Sequence, residues 1–435
     1  MNRSLLGPYL HALEAGSTLR WKGRINQVIG NLIESEGPFG FVGESCEITG
    51  DGGRSYAGEI VGFRGSTMLS MAAVHPQGIR LGDEIVTWGA RPSIRVGPEL
   101  LGRVIDPAGN PLDGKGDYRA ARAVIIDGSA PLPLERVPIR EPLGCGIRAI
   151  DGFLTCGRGQ RLGIFGGSGV GKSTLIGMMA RGTAADMTVL ALVGERGREV
   201  GEFLEVLGKE GLKRSVVIVS TSDQSPLLRI RAALAATAVS EYFASLGKNV
   251  LLITDSLTRF AMAQREIGLA AGEPPTAKGY TPSCLNMLAR LVERAGNFSQ
   301  GSITAFYTVL MEGDDQLDPV VDTVRSLLDG HVILDRNLAM RSHYPPISVI
   351  ESLSRLMSSM VSKEQLAKAN ALRLALASYA RSEDLIRIGA YQPNTDPVLD
   401  NAIRNLPAIN TFLQQKPDQL YKYEQVVEQL MALPG

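Results

Sequence analysis

The sequence is poor in the residues that build metal knots and disulfide frameworks. Its four cysteines, Cys46, Cys145, Cys156 and Cys284, are scattered without a CxxC pair, and its four histidines are equally dispersed. Neither a zinc site nor a stapled fold is indicated, and a reducing cytosol fits. No uninterrupted apolar run reaches the roughly 18 residues of a membrane span, and the opening MNRSLLGPYLHALEAG lacks the apolar core of a signal peptide. Membrane association is therefore expected only through a partner. An excess of one charge is also missing: 45 basic residues face 45 acidic ones, so nothing draws the chain as a whole to a polyanion and no nucleic-acid partner is expected. Repeats and low-complexity tracts are absent as well.

What is present belongs to a folded, multidomain protein. The chain has 435 residues, 44% of them apolar and 21% charged, which excludes disorder and exceeds the roughly 250–300 residues that one core usually serves. Residues 1–20 have Leu5, Leu6, Leu10 and Leu13 at spacings that suit a short helix. Short β-rich stretches at Gly23–Ile29, Ser45–Ile48, Tyr56–Phe63, Thr67–Met71 and Asp83–Thr87 follow, separated by glycine turns. They predict a small barrel or sandwich in which Phe39, Phe41, Tyr56, Phe63 and Trp88 fill the interior. A turn-rich and proline-dense connector runs from about residue 95 to 145. Apolar strands at Arg161–Phe165, Thr188–Val193, Ser215–Ser220, Val250–Thr254 and Ser302–Val309 then alternate with helical segments, the pattern of a mostly parallel α/β sheet. Beyond Arg355 the texture is helical, at Lys363–Arg381, near Pro397–Asn405 and at Pro417–Leu433. The division is thus 1–95, 96–355 and 356–435.

The segment GGSGVGKS, Gly166–Ser173, follows an apolar strand and opens a helix. In that context the backbone N–H groups of Gly166, Gly167, Ser168, Gly169, Val170 and Gly171 can surround phosphate oxygens at a positive helix end. Lys172 would reach the outer phosphates, Ser173 would ligate Mg2+, and Thr174 would sit near the inner phosphate. A glycine turn with a chance lysine is the plain alternative. The strand VLLITD ends on Asp255, placed either to hold a metal-bound water or to cap the next helix. VLALVGERGREV presents Glu195 as a candidate for orienting water and Arg196 as its neighbour, although charges after a strand are often merely solvated. Arg355 lies at the junction with the helical region and could supply the positive charge that phosphoryl transfer needs. Arg259, Arg265, Arg290 and Arg325 qualify equally on composition. Tyr344, before two prolines, is either a base-stacking or a loop-core aromatic. Asp314 and Asp315 read most simply as a turn before a helix starting at Pro319.

Taken together, GGSGVGKST, GERGREV, NVLLITDSLTRFAMAQREIGLAAGEPP, KGYTPS, SHYPPI and ESLSRLM resemble the ATPases of type III protein export. The flagellum-specific branch is nearest, with the catalytic subunits of rotary F-type and V-type ATPases more distant. The resemblance spans nearly the whole chain. It implies an N-terminal small β-barrel, a RecA-like P-loop core and a C-terminal helical domain, acting as a hydrolase that uses ATP and Mg2+ to energise or organise flagellar protein export. An injectisome ATPase is the near alternative and a RecA-like hexameric RNA helicase the distant one. It assigns Gly166–Thr174 to the phosphates, Glu195 and Arg196 to hydrolysis, Asp255 to Mg2+ through water, Tyr344 to the base, and Arg355 to a neighbouring subunit's site. It also implies a homohexamer, a central coiled-coil stalk protein, a regulatory peripheral-stalk-like dimer attached through Asn2–Leu19, export substrates with their chaperones, and a cytoplasmic position beneath a membrane export gate. The chain departs from the family at VILDRNLAMRSHYPPI, including Arg341 where glutamate is common nearby, and these departures bear on subtype and interface.

Overall fold

The computed structural model describes residues 19–311 and 318–434. The helix expected over residues 1–20 falls almost wholly outside the described residues, as do Asp314 and Asp315. The first unit is a closed barrel of six strands, β1 (Trp21–Ile29), β2 (Leu32–Glu36), β3 (Ser45–Thr49), β4 (Ser55–Arg64), β5 (Thr67–Ala72) and β6 (Glu84–Thr87), ordered β1-β2-β5-β4-β3-β6. Closure leaves no edge to aggregate. Alternate residues supply its interior, chiefly Ile25, Ile33, Ile48, Ile60, Met68 and Ile85.

Aromatics contribute less than expected above: Tyr56 packs, partly buried, against that core, but others lie outside it. Phe39 is 79% exposed and packs edge-on against Trp21, Phe63 is half exposed, and Phe41 lies under the Arg91 guanidinium. A six-stranded barrel has room for little beyond aliphatic side chains at its axis. The barrel is anchored to the next layer by an ion pair between Glu59 and Arg231, 2.7 Å apart, and by the Ser225 hydroxyl, which donates to the Ala73 carbonyl.

The connector contributes more than turns. β7 (Ser93–Val96) pairs with β9 (Arg122–Ile125), and β8 (Arg103–Ile105) joins the edge of the central sheet. Arg103 and Asp113, both nearly buried, hold that edge through hydrogen bonds of 2.8 and 3.0 Å, and Asp113 also accepts from the Val104 N–H. These donors keep the Asp113 carboxyl far below the usual carboxylate range.

The sheet continues with β10 (Arg161–Gly166), β11 (Met187–Glu195), β12 (Ser215–Thr221), β13 (Asn249–Asp255), a short β14 (Gly296–Asn297), β15 (Ser302–Leu310), β16 (Gly330–Leu334) and β17 (Ile347–Ser354). Its order is β17-β16-β10-β15-β13-β11-β12-β8, with β14 pairing β15. The β8 to β16 strands along that path are parallel and β17 is antiparallel to β16. Helices α1 (Arg148–Phe153), α2 (Lys172–Gly182), α3 (Gly197–Lys213), α4 (Pro226–Ser245), α5 (Leu257–Ala271), α6 (Pro282–Val292), α7 (Pro319–Leu327) and α8 (Arg336–Met340) accompany it.

The strands bury both faces. Val189, Ala191 and Val193 of β11 face the core under α4, α5 and α6, while Leu190 and Leu192 face the opposite core with α2. That second core extends into the C-terminal helices α9 (Lys363–Arg387), α10 (Pro397–Leu413) and α11 (Tyr423–Ala432) through Leu372, Leu376, Ile409, Phe412, Val426 and Leu430. α10 runs through Pro407, well past the Asn405 end expected from sequence. No helix among the described residues is long and apolar enough to cross a membrane.

Asp113→Ala is expected to destabilise the chain by about 3 kcal/mol, because it leaves the Arg103 guanidinium buried without its partner. Urea unfolding of the edge-strand region checks this. In the parent the contribution is full at neutral pH and is lost as pH falls below about 4, since the folded carboxyl resists protonation that the unfolded one accepts.

Candidate active site

The P-loop helix begins where β10 can no longer continue. Gly171 has φ of 87° at the N-cap of α2, a left-handed conformation that favours glycine. A Cβ there would meet the Tyr344 ring at an ordinary contact distance of 3.7 Å, so it is the backbone bend and not space that calls for glycine. The N–H groups of Ser168, Gly169, Val170 and Gly171 donate to no acceptor among the described residues. They stand ready for an anion, as helix N-termini with unpaired donors do. Val170 turns its side chain into the core and packs against Gly166, which leaves the rest of the loop to wall a cavity of about 340 Å³.

That cavity is lined by the loop glycines with Ser168, Lys172, Ser173 and Thr174, and by Glu195, Arg196, Arg198, Glu199, Glu202, Arg259 and Leu310. Lys172, on its wall, is held by an ion pair behind the lining: Lys172 Nζ lies 2.7 Å from Asp255 Oδ1, with both side chains largely buried. Thr308 Oγ donates to the same oxygen at 2.6 Å. Asp255 does not cap the following helix. Ser256 does, its hydroxyl accepting from the Arg259 N–H. Asp255 is thus free of that structural duty. Its Oδ2 takes no hydrogen bond among the described residues, while the exposed Ser173 lies on the cavity wall. One carboxylate oxygen and one hydroxyl, both hard oxygen donors beside a phosphate cradle, fit a Mg2+ ion that keeps several of its waters.

Glu195 stands at the end of β11, half-buried, with its carbonyl accepting from the Ser222 N–H. Burial, then the negative charge of Asp255, then a hydrogen bond with Glu199 push its carboxyl up to about 7, against the opposing pull of Lys172 and Arg259. A carboxyl held near neutrality in a polar cavity is suited to take a proton from water. Arg196 does not restrain it: the Arg196 side chain is 73% exposed and its nearest carboxylate is Glu199, at 3.9 Å. Arg259 is the cation that sequence reasoning left among several equals. It packs over Gly194 and lines the cavity with its Nε buried and unpaired among the described residues. Only its place four residues after Asp255 marks it in the sequence.

Tyr344 borders the loop at Gly171 and is half exposed, with its carbonyl accepting from the Gln415 N–H at 2.8 Å. Arg355 lies elsewhere. The pairings Gly330 with Ser354 and Leu334 with Ile347 send β17 away from the loop, and the Arg355 N–H donates to Asp329, beside the start of β10. The length of β10 separates it from the loop, about 15–20 Å at ordinary strand rise, and its exposed guanidinium makes no ion pair among the described residues.

The chain is similar to known proteins over nearly its whole length. Residues 146–354 match the ATP synthase alpha/beta family, nucleotide-binding domain, and residues 361–432 match the T3SS EscN ATPase C-terminal domain. The chain is 49% identical over 429 residues to the flagellum-specific ATP synthase of Bacillus subtilis, covering 98% of each. It is also similar to the assembled ATPase EscN of the enteropathogenic E. coli type III secretion system. The TM-score is 0.90 at 43% identity, over 94% of this chain and 99% of that one. EscN in complex with its central stalk EscO matches with a TM-score of 0.87 at 42% identity, over the same shares.

If Glu195 is the proton acceptor, kcat/KM for ATP should rise with pH through about 7 and level off above it, because only the ionised carboxylate is competent and burial holds its midpoint there. Glu195→Gln should retain nucleotide affinity and lose turnover by about 100-fold or more. Initial-rate profiles from pH 5.5 to 9, with nucleotide titration of the variant, check both.

Proposed function

The chain belongs to the family of flagellar and type III secretion ATPases, ATP-hydrolysing enzymes of protein export, and from that premise we propose that its reaction runs at the Gly166–Thr174 cavity, completed by Arg355 of a neighbouring copy. The observation that carries this reading is the separation of Arg355 from its own loop by the length of β10. An exposed, unpaired arginine that cannot reach the site on its own chain is suited to a repeated head-to-tail interface, in which each copy gives a loop to one neighbour and an arginine to the other.

In this reading the loop N–H groups and Lys172 hold the phosphates of ATP, with Thr174 beside the inner one. Tyr344 stacks on the base, an interaction worth about 0.5–1.5 kcal/mol. Ser173 directly, and Asp255 through water, hold Mg2+, which when bound neutralises charge on the phosphate oxygens. Glu195 orients a water and accepts its proton as the water oxygen bonds to the γ-phosphorus and the bond from that phosphorus to the ADP oxygen breaks. Arg196, at the rim with Glu199, meets solvent-side phosphate charge, and Arg355 of the neighbour stabilises charge on the transferring oxygens.

A homohexameric ring is the assembly this interface supports best, since one chain carries both the carboxylate and the arginine. A relative seen with its central stalk supports a coiled-coil partner in the ring's axis. A peripheral-stalk-like regulatory dimer, export substrates and chaperones, and a cytoplasmic place against the inner-membrane export gate complete the assignment. Flagellar export is the reading preferred, on the identity to the Bacillus relative across 98% of both chains.

Mixing Lys172→Ala with Arg355→Ala protein, each inactive alone, tests the shared site. In equimolar mixed rings about a quarter of the interfaces pair an intact loop with an intact arginine, so about a quarter of wild-type activity should return. No recovery in assemblies shown to contain both variants would overturn the reading.

A further inference from the structure

Three adjacent strands carry the loop, Asp255 and the segment between them, and the middle one supplies a side chain that no role above uses. β15 lies between β10, which leads into the loop, and β13, which ends on Asp255. Thr308 of β15 is fully buried and donates its hydroxyl to Asp255 Oδ1 at 2.6 Å, with the Thr254 carbonyl a more distant 3.3 Å alternative. Two residues on, the Leu310 N–H donates to Thr258 Oγ at 2.8 Å, tying the first turn of α5 to the same strand. The turn that carries Asp255 is therefore clamped to β15 on both sides.

Asp255 Oδ1 has two donors, Lys172 and Thr308. They differ in permanence. Lys172 sits on the loop helix and is the group that phosphates recruit, whereas Thr308 is a fully buried strand residue whose one other acceptor, the Thr254 carbonyl, is more distant. We propose that Thr308 is a positioning residue for the ATPase reaction, holding the Asp255 carboxylate in place through Oδ1 when Lys172 is drawn off to nucleotide, so that Oδ2 stays directed at the water shell of Mg2+. The inference rests on the reading of Asp255 given above. A threonine suits the task because its β-branched side chain has little rotamer freedom, and a hydroxyl donor to an ionised carboxylate makes a short, charge-assisted bond.

Thr308→Val keeps the shape of the side chain and removes the donor, and Thr308→Ser keeps the donor and removes the methyl. Nucleotide binding is measured by calorimetry in EDTA and then across a Mg2+ titration, with initial rates in parallel. Thr308→Val should leave metal-free ATP affinity within about twofold of wild type, raise the Mg2+ concentration needed for half-maximal tightening about tenfold, and lower kcat more than it raises KM. Thr308→Ser should restore the Mg2+ response. A Thr308→Val protein that titrates with Mg2+ as wild type does would overturn the proposal, and so would a Thr308→Ser protein as impaired as the valine variant, since packing would then be the cause. A wild-type protein whose nucleotide affinity ignores Mg2+ would instead overturn the underlying reading of Asp255.

Discussion

The ion pair between Lys172 and Asp255 is the constraint around which the rest of the site is arranged. Two largely buried charges 2.7 Å apart satisfy each other where neither could be left alone without a cost of several kcal/mol. Their positions follow from sheet order: β10 delivers the loop and β13 delivers the carboxylate, with β15 between them. Ligands gather at the carboxyl ends of such strands because the connections diverge there. In the proposed reaction phosphates offer Lys172 a stronger partner and release Asp255 to the Mg2+ role assigned to it. The negative charge of Asp255 also adds to burial, the larger cause, in raising the Glu195 carboxyl to about 7.

The edge strand β17 links this chemistry to assembly. Tyr344, a few residues before it, touches the loop at Gly171, and Arg355, just after it, emerges at the far end of the sheet. One short segment thus runs from the tyrosine proposed to stack on the base in a copy's own site to the arginine proposed for the next. α9 and α10 pack on the same core as the loop helix, and Gln415, just after α10, donates its N–H to the Tyr344 carbonyl at 2.8 Å. The helical region and the segment carrying Tyr344 are therefore joined by a direct hydrogen bond.

Much of this was legible in the residues. The loop signature, VLLITD and the alternation of apolar strands with helices each follow from a strong local rule, and the structure builds them where the pattern lies. Other features obey tertiary demands that leave little local trace. β2, in NLIESEGP, pairs β1 and β5 although three of its five residues are charged or polar, because a closed barrel needs only one face apolar. β8 is three residues long and exists through its pairing with β12 and the Arg103–Asp113 clamp. Phe39 and Phe63 lie outside the barrel because its axis is too narrow for them, while Tyr56 packs against its core. Arg259 resembles every other helix arginine until the fold sets it over Gly194. Thr308, inside the apolar run SITAFYTVL, reads as one more core position, since only the register of β15 against β13 places its hydroxyl on Asp255.

The central claim, that Asp255 holds Lys172 in place of phosphate, is tested most directly by ATP binding to Asp255→Asn without metal. Removing the competing carboxylate frees Lys172 and takes away a negative charge beside the phosphates. The variant should therefore bind ATP in EDTA about tenfold more tightly than wild type, a gain of ~1.4 kcal/mol, while hydrolysing it poorly with Mg2+ present. Metal-free affinity equal to or weaker than that of wild type would contradict the account.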